Sequence, residues 1–361
     1  MKTKVIGTLF FIMVLLAKFN IYNIMPVCYA YSVILECHVI SLAVNPKQPD
    51  DVYVNIYDTW NRPMGLHKST DGGENWHFIP NLPEKTMFNL VYDSTVAISP
   101  YDSRIIYAGR SKSTDGGKTW SPSGLSDKFS YMTIHPLNTS IVYAIVGTTL
   151  NLTTGDNYWL GIKRRCSAFA MDYKKPYELY AYCEGEAGEG VYKSVDSGLN
   201  WRMLLPVNSG FSWDILASAT FTPNYAIRTL AHDSTNSIIY AAGRQNIYRS
   251  VDGGQRWETI SMRGFPDDRR IYTLTIDPVH SDTLYIGTNY GVFKSTDRGY
   301  SWHRAGEGLL SNAHTLVVNP QNPDIIYAGT LNGGVFKSIN GGKNWRPVNK
   351  RFPCYQDERG R

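Results

Sequence analysis

The sequence predicts an all-β chain folded as a seven-bladed β-propeller of four-stranded antiparallel blades. Three observations predict it: a short signature that returns along the chain, four strand-sized segments around each copy, and a composition rich in strand and turn formers. With 25 Tyr, nine Trp and 31 Gly among 361 residues, short strands and tight turns are favoured over helices. A hydrophobic share of 43% and an aromatic share of 13% suffice for a sizeable core.

The signature is Ser-x-Asp-x-Gly-x-x-Trp. It runs from Ser69 through Asp71 and Gly73 to Trp76, and from Ser113 through Asp115 and Gly117 to Trp120. It returns at Ser194, Asp196, Gly198 and Trp201, at Ser250, Asp252, Gly254 and Trp257, and at Ser295, Asp297, Gly299 and Trp302. In the last copy, Ser338 to Trp345, Asn340 replaces the aspartate.

Each copy sits in a larger unit. The last unit reads His314–Pro320, Ile325–Gly329, Gly334–Ser338 and Asn344–Val348, four pieces of strand length bounded by Gly, Pro, Asn or Asp. Such a unit has the content of one propeller blade. Units begin near Ser41, Thr95, Tyr131, Ser167, Arg228, Tyr272 and His314. The third carries only a degenerate box, Thr153 to Trp159. A ring of seven such sheets leaves only short, protected edges.

The box has a local physical role. Ser and Asp oxygens accept hydrogen bonds from turn N–H groups, the second Gly supplies a positive φ, and the Trp buries a large ring. Asp71, Asp115, Asp196, Asp252, Asp297 and Asn340 are therefore expected to lock turns. Repetition argues against catalysis, which needs one constellation. No metal is expected, since each box lacks the clustered oxygens of a calcium site.

On these boxes the chain resembles the Asp-box, or BNR-repeat, propellers, over about residues 38–349. That family spans sialidases, xyloglucan-cleaving glycoside hydrolases, sortilin-type receptors and photosystem II assembly factors, so the resemblance implies a fold more than a function.

Residues 1–30 read as a signal peptide. Lys2 and Lys4 precede an apolar run from Val5 to Ala17, and Cys28 and Ala30 suit a cut before Tyr31. Residues 31–361 are then one propeller, exported to a periplasm-like compartment, with no later segment able to span a bilayer as a helix. The formal charge of +5 owes much to this leader, and with no Lys/Arg stripe elsewhere a nucleic-acid partner is not expected. Of the remaining cysteines, Cys166 and Cys183 flank two strands whose turn lies midway between them, which suggests a cross-strand disulfide. Cys37 and Cys354 lie before the first unit and after the last, so ring closure brings them near enough for a second. Two reduced, buried thiols are the alternative for Cys166 and Cys183.

Loops between second and third strands share a face with the connections between units, and rigid scaffolds commonly carry function on such loops. Three stand out: Trp60 and Arg62 in unit one, Glu184 and Glu186 in unit four, and Phe211, Trp213 and Asp214 in the connection to unit five. They read as docking loops. Arg110 and Arg244 hold equivalent places on the same face and suit either a carboxylate ligand or ion pairs between units.

Two functions compete. A glycosidase of the sialidase type needs an arginine triad and carries a Phe/Tyr-Arg-Ile-Pro motif, which is missing here. The xyloglucanase type resembles two propellers facing across a cleft with one catalytic Asp on each; Glu184 with Asp214 is a carboxylate pair of the kind that flanks a sugar. The other function is a non-catalytic subunit that docks into an exported complex through its loops. In outline the chain is similar to the propeller subunits of the hydrazine synthase complexes of anammox bacteria, which join nitric oxide and ammonium at a partner's haem. That resemblance implies no cofactor on this chain, c-type haem on multihaem partner subunits, and an anammoxosome-lumen or periplasm-like location. The sequence reading favours the docking subunit, with the glycosidase as alternative.

Overall fold

Alternation of β-branched or aromatic residues with polar ones, cut every few residues by Gly, Pro, Asn or Asp, produces strands and turns and no helix among the described residues. The computed structural model describes residues 37–352, except 59–62, 81, 83–94, 126–128, 147–148, 155–157, 160–161, 186–187, 208–226, 264 and 310. The leader at 1–30, Cys354, Trp60, Arg62, Glu186, Phe211, Trp213 and Asp214 lie outside the described residues.

The first sheet is β1 (Cys37–Val44), β2 (Val52–Asp58), β3 (Pro63–Ser69) and β4 (His77–Phe78). The second is β5 (Val96–Ile98), β6 (Ile106–Ala108), β7 (Ser111–Ser113) and β8 (Ser121–Pro122). Next come β9 (Phe129–Ile134), β10 (Val142–Val146), β11 (Thr149–Thr154) and β12 (Tyr158–Trp159), then β13 (Ile162–Met171), β14 (Leu179–Gly185), β15 (Gly188–Ser194) and β16 (Arg202–Pro206). The fifth unit is β17 (Thr229–Asp233), β18 (Ile238–Ala242), β19 (Ile247–Ser250) and β20 (Glu258–Thr259). The sixth is β21 (Ile271–Ile276), β22 (Leu284–Thr288), β23 (Gly291–Ser295) and β24 (His303–Arg304). The last is β25 (Ala313–Val318), β26 (Ile326–Thr330), β27 (Val335–Ser338) and β28 (Arg346–Pro347).

Five of these sets form separate four-stranded antiparallel sheets, each in chain order. Units three and four instead share one eight-stranded sheet, because β11 pairs with β13 through Thr149↔Arg165 and Leu150↔Ile162. The cause is the length of β13: it starts well before Cys166 and runs into the territory of the third unit. First strands of successive sets lie side by side, from β13 to β17, β17 to β21 and β21 to β25, and β25 in turn lies against β1.

The joints between sheets follow a rule that the boxes alone do not reveal. A second-strand Tyr and a third-strand Lys or Arg from one sheet converge on a carbonyl in the next sheet's box. Tyr53 and Lys68 donate to Gly116 O at 3.1 and 3.4 Å. Tyr240 and Arg249 donate to Arg298 O, and Tyr285 and Lys294 to Gly341 O. Tyr327 and Lys337 of the last unit reach Gly72 O in the first sheet at 3.0 and 2.8 Å. The ammonium of each such Lys also stands over its Tyr ring, 5.1–5.4 Å from the centroid. The first and last sheets are thus joined by the same contacts as sheets adjacent in sequence.

Candidate functional site

The box residues sit where turn chemistry puts them. Ser69 Oγ accepts the Gly73 N–H at 2.8 Å and donates to Asp71 Oδ1 at 2.7 Å, while Asp71 accepts the Asn75 N–H at 2.9 Å. Asp115, Asp196, Asp252, Asp297 and Asn340 accept the equivalent bonds from their own turns. Burial acts upward on the Asp71 carboxyl, but bonds from Asn75, Ser69 and the Glu74 N–H outweigh it and hold the pKa down to about 2. Gly73 takes φ +94°, and a Cβ there would approach Val348 Cγ2 to 3.2 Å. Each of these side chains, the Asn340 amide included, is engaged by its own turn.

The box tryptophans divide into two kinds. Trp120, Trp201, Trp257 and Trp302 donate to the carbonyl of the signature Gly of their own box, Gly117, Gly198, Gly254 and Gly299. Trp76 and Trp345 reach outside it, to Val348 O at 2.6 Å and Ala305 O at 2.9 Å. Trp76 thereby adds a further bond between the first sheet and the end of the last.

Cys166 and Cys183 face each other in the β13–β14 register and form a disulfide. Cys37 is also disulfide-bonded. Glu184 pairs with Glu189 beside the β14–β15 turn, and the Glu189 carboxylate accepts a short hydrogen bond from Tyr182. Arg110 and Arg244 lie in the β6–β7 and β18–β19 turns, at the end of the sheets expected from the sequence.

At this loop-bearing end, four adjacent first strands place polar groups together: Arg228 directly before β17, Tyr272 in β21, His314 in β25 and His38 in β1. Tyr272 and His314 are the extra residues of β-bulges, where the register jumps from Ile271 to Thr273 and from Ala313 to Thr315. Bulges re-aim side chains and recur beside functional sites. Here the two rings stack at 4.0 Å between centroids. Burial, and then the charges of Arg228 and His38, lower the His314 pKa to about 4, so its imidazole is neutral at neutral pH. Burial also lowers Arg228, followed by the like charges of Arg244 and Arg270, with Tyr272 acting the other way. Arg228 Nε is buried without a hydrogen-bond partner. Sequence reasoning met Arg228, Tyr272 and His314 only as starts of units. The available signal was three polar residues at one strand position in consecutive repeats.

Two cavities lie elsewhere. One of about 370 Å³ opens between the first two sheets and is lined by Lys68, His77, Phe78, Pro80, Thr119 and Trp120. The other, of about 230 Å³, is lined by the far ends of first strands and includes Tyr131, Tyr173 and His232. No cluster of His, Cys, Asp and Glu suited to a metal ion occurs among the described residues. Nor is any helix there long and apolar enough to cross a membrane.

Residues 112–122 match the BNR/Asp-box repeat. The chain is 24% identical over 343 residues to the xyloglucanase Xgh74A of Acetivibrio thermocellus, an alignment that covers 85% of this chain and 32% of that enzyme. The chain therefore spans about a third of the length of that curated relative. Among solved structures, the GH74 xyloglucanase of Xanthomonas campestris superposes with a TM-score of 0.66 at 14% identity, covering 88% of this chain and 55% of the enzyme. YCF48 bound to D1 peptide superposes with a TM-score of 0.59 at 13% identity, covering 85% and 94%. At such identities the structural likeness shows an all-β, propeller-type fold of four-stranded sheets.

The alignment with Xgh74A overturns the expectation of a non-catalytic docking subunit. The sequence relative Xgh74A favours the glycoside hydrolase alternative and lends nothing to the hydrazine synthase reading. That expectation leaned on missing catalytic motifs. Hydrolysis of a glycosidic bond requires two carboxyl groups correctly spaced in the fold, and such a pair leaves no local sequence motif to miss.

Proposed function

We propose that the chain is an exported glycoside hydrolase propeller of the xyloglucanase type, with its sheets closed into a seven-bladed ring and its loop-bearing end set against a glucan chain. The observation that carries this reading is the alignment with Xgh74A along 85% of the chain, far more than a single repeat produces. Tyr327, Lys337 and Trp76, which tie the last sheet to the first, support closure. Disulfides at Cys166–Cys183 and Cys37 suit an oxidising compartment.

Cleavage of a glycosidic bond needs a carboxyl group for proton transfer. The second-to-third strand loops carry four carboxylates: Asp58, Glu184, Glu186 and Glu189. Glu189 already accepts a bond from Tyr182. Asp58 closes β2 opposite Cys37, at the loop-bearing end of an innermost strand pair, and is the residue on which the reading places proton transfer. The full chain, incubated with tamarind xyloglucan, should release reducing ends. Asp58→Asn should lower that rate by roughly 10²-fold or more with the thermal unfolding midpoint preserved. Absence of both cleavage and binding in xyloglucan affinity gels rejects the reading.

A further inference from the structure

Arg228 is the one described residue whose charge is both drawn into the protein and left without an opposite. Its guanidinium makes no hydrogen bond or ion pair among the described residues, and Nε is buried. The neighbouring charges that act on it are Arg244 and Arg270, of the same sign. Holding a guanidinium partly out of water with no opposite charge is costly, and other described cations are treated differently: Lys193 pairs with Glu178, Arg249 with Glu258 and Arg298 with Asp282.

The surroundings are built. The backbone N–H of Arg228 is bonded to Ala242 O, and Ser167 Oγ donates to the preceding Ile227 O at 2.9 Å. The Arg244 carbonyl accepts the Ile271 N–H, and the Arg270 N–H is held by Asn289 Oδ1 at 2.6 Å. Two bulges turn Tyr272 and His314 out of register to form a stacked wall beside Arg228. Tyr272 offers a hydroxyl, and neutral His314 offers a ring N–H without adding charge.

We propose that Arg228, backed by Arg244 and Arg270 and flanked by Tyr272 and His314, binds a carboxylate at the loop-bearing end of the first strands. A planar guanidinium fork matches a planar carboxylate and binds it with two parallel bonds. An acidic sugar is one source of the carboxylate and a small free carboxylate the other. This binding does not depend on the hydrolytic reading, since it is measured without turnover.

Isothermal titration of the full chain with glucuronate, acetate, glucose and inorganic phosphate tests it. Glucuronate or acetate should bind and glucose should not. Tighter glucuronate assigns an acidic sugar as the source, and equal affinities assign a free carboxylate. Arg228→Gln should weaken binding at least tenfold, and Arg270→Gln should weaken it less. Without ligand, Arg228→Gln should unfold at the same or a higher temperature, because it removes an uncompensated charge; a merely structural arginine would lower it. Arg263→Gln, an exposed residue outside the site, is the control. Binding of neither carboxylate, preference for phosphate, or undiminished affinity in Arg228→Gln overturns the proposal.

Discussion

Ser69 is fully buried and holds three groups at once: the Gly73 N–H, the Asp71 N–H and the Asp71 carboxylate. Ser69→Ala leaves the buried Gly73 N–H unsatisfied and should cost about 1–3 kcal/mol of stability in urea unfolding. Ser121→Ala is the contrast: that hydroxyl is exposed and makes one long bond to Lys112 O, so the change should stay within about 0.5 kcal/mol. Equal effects at the two sites contradict the reading of the box as a lock. This much was legible in the residues, because turn geometry depends on near neighbours. The Arg228 environment was not. Its meaning comes from Arg270, Tyr272 and His314, which local turn chemistry does not connect to it.

Between elements, the repeated Tyr and Lys contacts make a sharp claim about closure. Tyr285 ties the sixth sheet to the seventh through Gly341 O, and Tyr327 ties the seventh to the first through Gly72 O. In a closed ring these are equivalent joints. Tyr285→Phe and Tyr327→Phe should each lose about 1 kcal/mol, measured by chemical denaturation. A neutral Tyr327→Phe beside a costly Tyr285→Phe means that the first and last sheets are not joined in solution. The four strands of each unit were readable from alternation and turn residues. The fusion of units three and four was not, because it depends on where β13 begins, and a continuous run of strand formers does not mark that point.

For the whole molecule, acid should act in two stages. His67 is buried against Phe78 and Phe352, and burial lowers its pKa from 6.5 to about 4. Between those values the unfolded chain takes up a proton that the folded chain refuses, so stability falls as pH falls. The loss is at most about 3 kcal/mol, and His314 adds to it in the same window. Below pH 3.8 the unfolded chain protonates the carboxylate that the folded state keeps ionised at Asp71, down to about pH 2, and further stability goes. His67→Phe should shrink the upper stage of a plot of unfolding free energy against pH to the part that His314 contributes, and leave the lower one. An unchanged upper stage removes His67 from the account.

By itself the sequence determined the all-β class and the repeat, and it brought the turn-forming box residues and the facing of Cys166 and Cys183 into view, while leaving the oxidation of that pair open. These follow from contacts within a hairpin, where chain neighbours are also neighbours in space. Only the tertiary structure decided that Trp76 answers Val348, that β11 joins β13, and that Arg228 meets Tyr272 and His314 at one end of the first strands. Each of those depends on how separate sheets are set beside one another, and that arrangement is dictated by packing between units that are distant along the chain.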